Sequence, residues 1–324
     1  RTHVKVKRIL FQDTQAVGVS ASIKDQQIRY FANKEVILAA GAIDSPKLLQ
    51  LSGVGEADDL KKLGINIVKN LPSVGKNLQD HVCSSYIFET RVKTLNDDFK
   101  GFYKKAKLGF RYLMTRGGPL SISVNQAGGF VNTRLNTARP NIQLYFNPLS
   151  YQYEPNASGL VKPLPHSGVM LSYSPCRPNS RGSVTLSSSD HRSAALIQPN
   201  YLSSDDDVID IIQGAKFVAK LSQSVAFRGV FTASASNNLS GKSDLDLLQQ
   251  FKERGGSIYH LCGTCAIGLN DKNSVVGASL KVHGLEGVRV IDASVFPNIV
   301  SGNINATTMM VAEKGADHII RDYK

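Results

Sequence analysis

Three short stretches hold side chains able to do chemistry. Tyr259-His260-Leu261-Cys262-Gly263-Thr264-Cys265 sets an imidazole beside a Cys-x-x-Cys spacing. An imidazole titrates near neutrality and can act as a general base, but a histidine between Tyr and Leu is equally one that a core would bury and satisfy. Cys-x-x-Cys is dithiol and zinc-ligand spacing; a zinc site needs two further ligands, and none lies at suitable spacing, so no metal is expected. Gly302-Asn303-Ile304-Asn305 offers two amides just ahead of a helical pattern. Val36-Ile37-Leu38-Ala39-Ala40-Gly41 is an apolar run ended by glycine, where the missing side chain lets a ligand approach the backbone. That pattern suits a cofactor edge and an ordinary strand-to-helix turn alike.

The elements that would position these groups are legible around them. Val4 to Phe11 and Val17 to Ile23 read as two strands joined by a polar turn at Gln12 to Gln15. Val36 to Ala40 reads as a strand buried on both faces near the middle of a parallel sheet. Ser45-Pro46 then supplies an N-cap and a proline at the first helical position, with Leu48, Leu49 and Leu51 as the apolar side and Gly53 as the stop. From Val82 to about Gly256 the texture changes to short β-like runs, at 129–132, 141–146, 169–173 and 182–186. Two helices interrupt them, Ser204 to Leu221 and Ser243 to Arg254. Val288 to Ile291 returns as a buried strand, followed by Asp292-Ala293, and Ala306 to Asp322 is a closing helix.

The sequence has 324 residues, 42% hydrophobic and 20% charged, which excludes disordered, collagen-like and coiled-coil chains. A net charge of +12 is compatible with anionic partners, yet the basic residues are dispersed and no nucleic-acid module accompanies them, so no nucleic acid is expected. Four cysteines are too few for a disulfide framework and favour a reducing, cytoplasmic setting. No apolar run reaches the roughly 18 residues of a membrane span. The stretch from Phe99 to Arg116 interleaves six basic residues with apolar ones at helical spacing. It reads either as a helix packed on one face and solvated on the other, or as one lying on the inner face of an anionic membrane.

The fifteen residues Gly41-Ala42-Ile43-Asp44-Ser45-Pro46-Lys47-Leu48-Leu49-Gln50-Leu51-Ser52-Gly53-Val54-Gly55 resemble the second signature of the glucose-methanol-choline (GMC) flavoprotein oxidoreductases. The resemblance continues through Asn77-Leu78-Gln79-Asp80-His81, Arg177-Pro178-Asn179-Ser180-Arg181-Gly182 and Pro199-Asn200-Tyr201-Leu202, and covers essentially the whole chain. It implies FAD as cofactor and an α/β fold (α+β overall), with a partial FAD-binding, Rossmann-like domain and an antiparallel-sheet substrate domain. The expected domains are 1–81 for the remainder of the FAD domain, 82–256 for substrate, and 257–324 for the return to the FAD domain with the active-site residues.

By the same resemblance His260 is the catalytic base and Asn303 the second catalytic residue; counting back from Asp317 favours Asn303 over Asn305. Oxidising a primary alcohol needs a base for the hydroxyl proton and a donor to hold the alkoxide while hydride leaves for the flavin. The cofactor contacts implied are Val6 beside the adenine, Asp292 and Ala293 beside the pyrophosphate and ribityl chain, Ile304 and Asn305 near the ring, and also Gly41 and Tyr259. On the residues alone, Asp292 reads equally as a cap. Gly-Thr-Cys is a common run in the family, so the Cys-x-x-Cys spacing is read as coincidental.

The family's Gly-x-Gly-x-x-Gly fingerprint and first signature are absent. The chain is therefore expected to be the C-terminal portion of a longer enzyme, and by itself to bind FAD weakly or not at all and to have no alcohol-oxidising activity. The expected substrate is choline or a similar alcohol, with aryl or aliphatic alcohols as the alternative, because Gln126 stands where relatives are often acidic. Quinone, a soluble acceptor or oxygen would take the electrons. An inactive remnant or a non-redox lyase on the same fold stays open.

Overall fold

A computed structural model describes residues 1–24, 26–134, 138–153, 161–232, 239 and 241–324. They form two units, one of residues 1–81, 177–204 and 259–324, the other of 82–176 and 205–258.

In the first unit, Lys5–Gln12 (β1), Gln15–Ile23 (β2) and Gln26–Phe31 (β3) make an antiparallel meander whose first turn passes through Asp13 at positive φ. Val36–Leu38 (β4) leads into the helix Gly41–Leu51 (α1); Val54–Gly55 (β5), Ala57–Lys62 (α2) and Lys69–Asn70 (β6) follow. From the end of the chain, Val288–Val290 pairs with β4 in parallel, Arg289 opposite Ile37. This pair was expected at the sheet's buried middle. Instead β4 alternates, with Val36 and Leu38 buried and Ile37 46% exposed. The core is drawn from both ends of the sequence: Ile9, Leu38, Leu49 and Leu71 pack with Cys262, Val275, Val290 and Phe296.

Helix α1 starts five residues earlier than Ser45-Pro46 suggested, at Gly41 rather than Pro46, leaving Pro46 inside it. Proline has no N–H for the carbonyl four residues back, that of Ala42. Thr264 Oγ1 donates to that carbonyl at 2.6 Å, which lets the helix run through the proline.

The second unit is built on Val82–Glu89 (β7), Ala127–Val131 (β8), Ile142–Asn147 (β9) and Gly168–Pro175 (β12); Tyr151–Tyr153 (β10) and Val161–Pro163 (β11) form a side hairpin. In the first unit Ser183–Thr185 (β13) pairs with Leu196–Gln198 (β14), and in the second Gly256–Ser257 (β15) pairs with β7. The main sheet has the antiparallel order β15-β7-β12-β9-β8, and Val288–Val290 is β16. The second unit's helices are Leu95–Asp98 (α3), Phe102–Thr115 (α4), Asp205–Ser222 (α5), Val225–Arg228 (α6) and Asp244–Arg254 (α7), the last started by a capping box at Ser243 and Asp246. All eight β12 residues are buried, and α5 closes over the strand at Gly214, where a Cβ would sit 2.3 Å from the Tyr173 ring. Asn305–Tyr323 (α8) ends the chain. The fold is mixed α/β with antiparallel sheets, as expected.

The expected span 82–256 is interrupted. Residues 177–204 go with the first unit because Leu78 and Gly182 exchange backbone bonds (3.1 and 2.8 Å), Val184 N–H bonds Gly75 O (2.7 Å), and Lys47 Nζ donates to the carbonyls of His191 and Ser193.

Candidate active site

The polar run 77–81 is a scaffold in which each side chain is spent differently. Gln79 and Cys262 exchange backbone hydrogen bonds (2.9 and 3.0 Å), clamping the 259–265 segment to it. Gln79 Nε2 donates to Pro297 O while its Oε1 accepts from Ile299 N–H, and Asn77 Nδ2 donates to Gly263 O and Pro297 O. Asp80 accepts the His260 backbone N–H on one oxygen (2.9 Å) and the Tyr201 hydroxyl on the other (2.6 Å). Tyr259, at positive φ, makes the turn that delivers His260.

Around the His260 imidazole the partners fix a tautomer. Fully buried His81 places its Nδ1 2.9 Å from His260 Nδ1, the rings meeting edge to face at 5.1 Å. On the other side Asn303 Nδ2 is 3.3 Å from His260 Nε2. An amide NH2 only donates, so Nε2 accepts; in the neutral ring the proton then sits on Nδ1 and points to His81. Half-burial holds the His260 pKa below the ordinary value, with the nearby Asp80 charge opposing part of that fall. The ring is therefore neutral at neutral pH, its Nε2 lone pair turned toward an exposed amide.

A second group lies at the start of α1. Gly41 adopts φ +82°, and no atom lies within 4 Å of where a Cβ would project. Asp292 joins this end to the end of β16: its Oδ2 accepts from Gly41 N–H (2.9 Å) and Ser45 Oγ (2.5 Å), and its Oδ1 accepts from Ser294 N–H (2.8 Å). The 262–265 segment connects the two groups, since Gly263 N–H bonds Ala293 O and Cys265 N–H bonds Ser294 O. Burial pushes the Cys262 thiol up to about 12 and the Cys265 thiol higher still, so neither is a ready thiolate for redox or zinc chemistry.

Residues 1–83 match the N-terminal, and residues 178–312 the C-terminal, family profile described as GMC oxidoreductase. The chain belongs to the GMC oxidoreductase family. It is 37% identical over 323 residues to an alcohol dehydrogenase [acceptor] of Pseudomonas putida, covering 99% of this chain and 57% of that protein. It is 39% identical over 320 residues to human mitochondrial choline dehydrogenase, covering 97% and 52%. Among solved structures it is similar to formate oxidase of Aspergillus oryzae RIB40, with a TM-score of 0.89, 25% identity, and 99% and 60% of the two chains covered. The chain thus spans little more than half the length of the GMC relatives it matches.

FAD is the cofactor that goes with GMC membership, and the residues present fit it in part. The open backbone at Gly41 and the α8 N-terminus, where Ile304 provides no side-chain cap, are places an acceptor-rich group can approach. The Asp292 carboxylate is committed to capping, so a cofactor contact here would have to come from the Asp292-Ala293 backbone. Val6, half-buried and paired with Ala21 on β1, shares no hydrogen bond with either group among the described residues. Sequence reasoning assigned no role to Asp80, His81 or Tyr201. The usable signal was the density of polar residues in 77–81 between the glycine turn at Gly75 and β7. Among the described residues no helix is long and apolar enough to cross a membrane.

Proposed function

We propose that the enzyme containing this chain oxidises a primary alcohol to the aldehyde with FAD. The observation that carries this reading is the His81–His260–Asn303 line: a neutral imidazole with one nitrogen tied back to a buried histidine and the other facing an amide donor. His260 Nε2 takes the hydroxyl proton, and the proton on Nδ1 is retained by His81, which holds the ring in plane. Asn303 Nδ2 donates to the substrate oxygen as its charge develops. Asp80 fixes the backbone on which the base is mounted. FAD, when bound, accepts the hydride from the carbinol carbon. Gly41, Asp292-Ala293, Ile304 and Asn305 would hold it by their backbone, Val6 at the adenine end and Tyr259 near the base.

The second unit is assigned to substrate. Choline is the leading candidate because a choline dehydrogenase is among the relatives. The alcohol dehydrogenase relative and the uncharged Gln126 favour an aliphatic or aryl alcohol as the second reading. The electrons pass to a quinone, a soluble acceptor or oxygen, and a peripheral membrane contact would serve the quinone case. The test is anaerobic mixing of the FAD-loaded protein with choline, benzyl alcohol and a long-chain primary alcohol while the flavin's visible band is followed. Bleaching by at least one, slowed about 10²–10⁴-fold in His260→Ala, is expected. Equal bleaching in the variant refutes the role of His260.

A further inference from the structure

Helix α4 is mounted with its apolar face outward. At 100° per residue Phe102, Tyr103, Ala106, Phe110, Leu113 and Met114 fall within an arc of roughly 120°. The five large ones are 66–88% exposed, no residue of the helix is buried, and of the partly covered positions Leu108 and Tyr112 lie on the opposite side while Gly109 adjoins the arc beside Phe102. Leu120, Ile122 and Val124, just beyond, are also about half exposed. The reading of α4 as a helix packed by its apolar face is thus reversed. Lys107 borders the arc, with Arg111 and then Lys104 further round the same flank, and none of the three is in an ion pair among the described residues, although Lys104 Nζ donates to Asp97 O. From Phe99 to Tyr153 the sequence holds eight Lys and Arg and no Asp or Glu.

We propose that α4 is an in-plane anchor for an anionic lipid surface, its aromatic and aliphatic face entering the headgroup–acyl boundary while Lys104, Lys107 and Arg111 meet lipid phosphates. Charge selects this occupant. A second copy docked on the same face would set those cations against their own counterparts with no acid on α4 to offset them. A bilayer rich in acidic headgroups supplies both the apolar layer and the counter-charge. The proposal extends the peripheral-membrane reading without resting on the alcohol chemistry, and flavin reduction in solution is expected to be the same in all variants.

The experiment is co-sedimentation of the protein with vesicles of phosphatidylcholine alone and of phosphatidylcholine with phosphatidylglycerol, at low and high salt. The expected result is binding to the mixed vesicles, weakened by salt. Phe102→Ser/Phe110→Ser/Leu113→Ser abolishes it, and Lys104→Gln/Lys107→Gln/Arg111→Gln weakens it about 100-fold, at roughly fivefold per cation. Both variants are at exposed positions and should keep the wild-type circular dichroism spectrum. No binding to mixed vesicles, or equal binding by wild type and both variants, overturns the proposal. So does a dimer by light scattering that the Ser variant splits, which would show that a second copy covers the face.

Discussion

Replacing Arg289 by Met tests how the two ends of the chain are locked together. Arg289 sits on β16 with no exposed surface, and its Nε faces both oxygens of Glu35 (3.1 and 2.8 Å). Its Nη1 donates to Ser279 O at 2.8 Å, and its Nη2 bonds Asp322. Methionine keeps the apolar stem and removes every donor. Asp322 loses little, being one-third exposed and held by Lys281 at 2.6 Å. Glu35, only 4% exposed, is left as a buried charge without its partner, a change worth about 3–5 kcal/mol. At 2–4 °C per kcal/mol for a unit of this size, the melting temperature should fall by roughly 6–20 °C at pH 7. Wild type should weaken in stronger acid, because Asp322, whose pKa is lowered by Lys281 and Arg289, stabilises the fold only while ionised. Thermal melts followed by circular dichroism at several pH values read both effects. Adding Glu35→Leu should restore most of the loss. A drop under about 1 kcal/mol, or a double variant no better than the single one, refutes the reasoning.

Three further outcomes follow from the geometry. Because burial lowers the His260 pKa, the rate of flavin reduction should rise with pH through an inflection below the ordinary imidazole value of about 6.5. Asp80→Asn should move that inflection lower still, since the Asp80 charge holds it up. His81→Leu removes the acceptor for His260 Nδ1–H, so transient kinetics should show loss of part of the about 10²–10⁴-fold that a positioned base contributes, with substrate affinity little changed. Gly214→Ala forces a methyl to within 2.3 Å of the Tyr173 ring and should cost about 1–3 kcal/mol in urea titration of the second unit.

Where local chemistry decides, the sequence was a good guide: three aspartates start α5, Ser243 and Asp246 box the start of α7, and Asp13-Thr14 turn β1 into β2. Tertiary partners decided the rest. The start of α1 was misplaced because Ser45 looks like a cap, whereas its hydroxyl serves Asp292 and Thr264 takes the carbonyl freed by Pro46. Strand β7 was missed because its alternation is carried partly by Ser84, a small polar residue that is nonetheless buried. Periodicity showed that α4 has an apolar face, but not what lies opposite it. His260 and Asn303 were named from resemblance alone; the tautomer that would let His260 act as a base depends on His81, 179 residues away in sequence.

The pairing of Glu35 with Arg289 spans 254 residues. At roughly 5–20 residues per second, a ribosome takes about 13–50 s to make that stretch. During that interval β4 and the 77–81 segment wait without their final partners, while residues 82–176 and 205–258, made before Tyr259, can already fold. The order of assembly is then inside out: the second unit, all of whose residues precede Tyr259, closes first, and the first unit, which still needs residues 259–324, closes last. The His81–His260–Asn303 arrangement can exist only once residue 303 has been made. Slowing translation after residue 258 should lengthen the life of a species with one unit formed and β4 bare, and that species is the one a chaperone would have to shield.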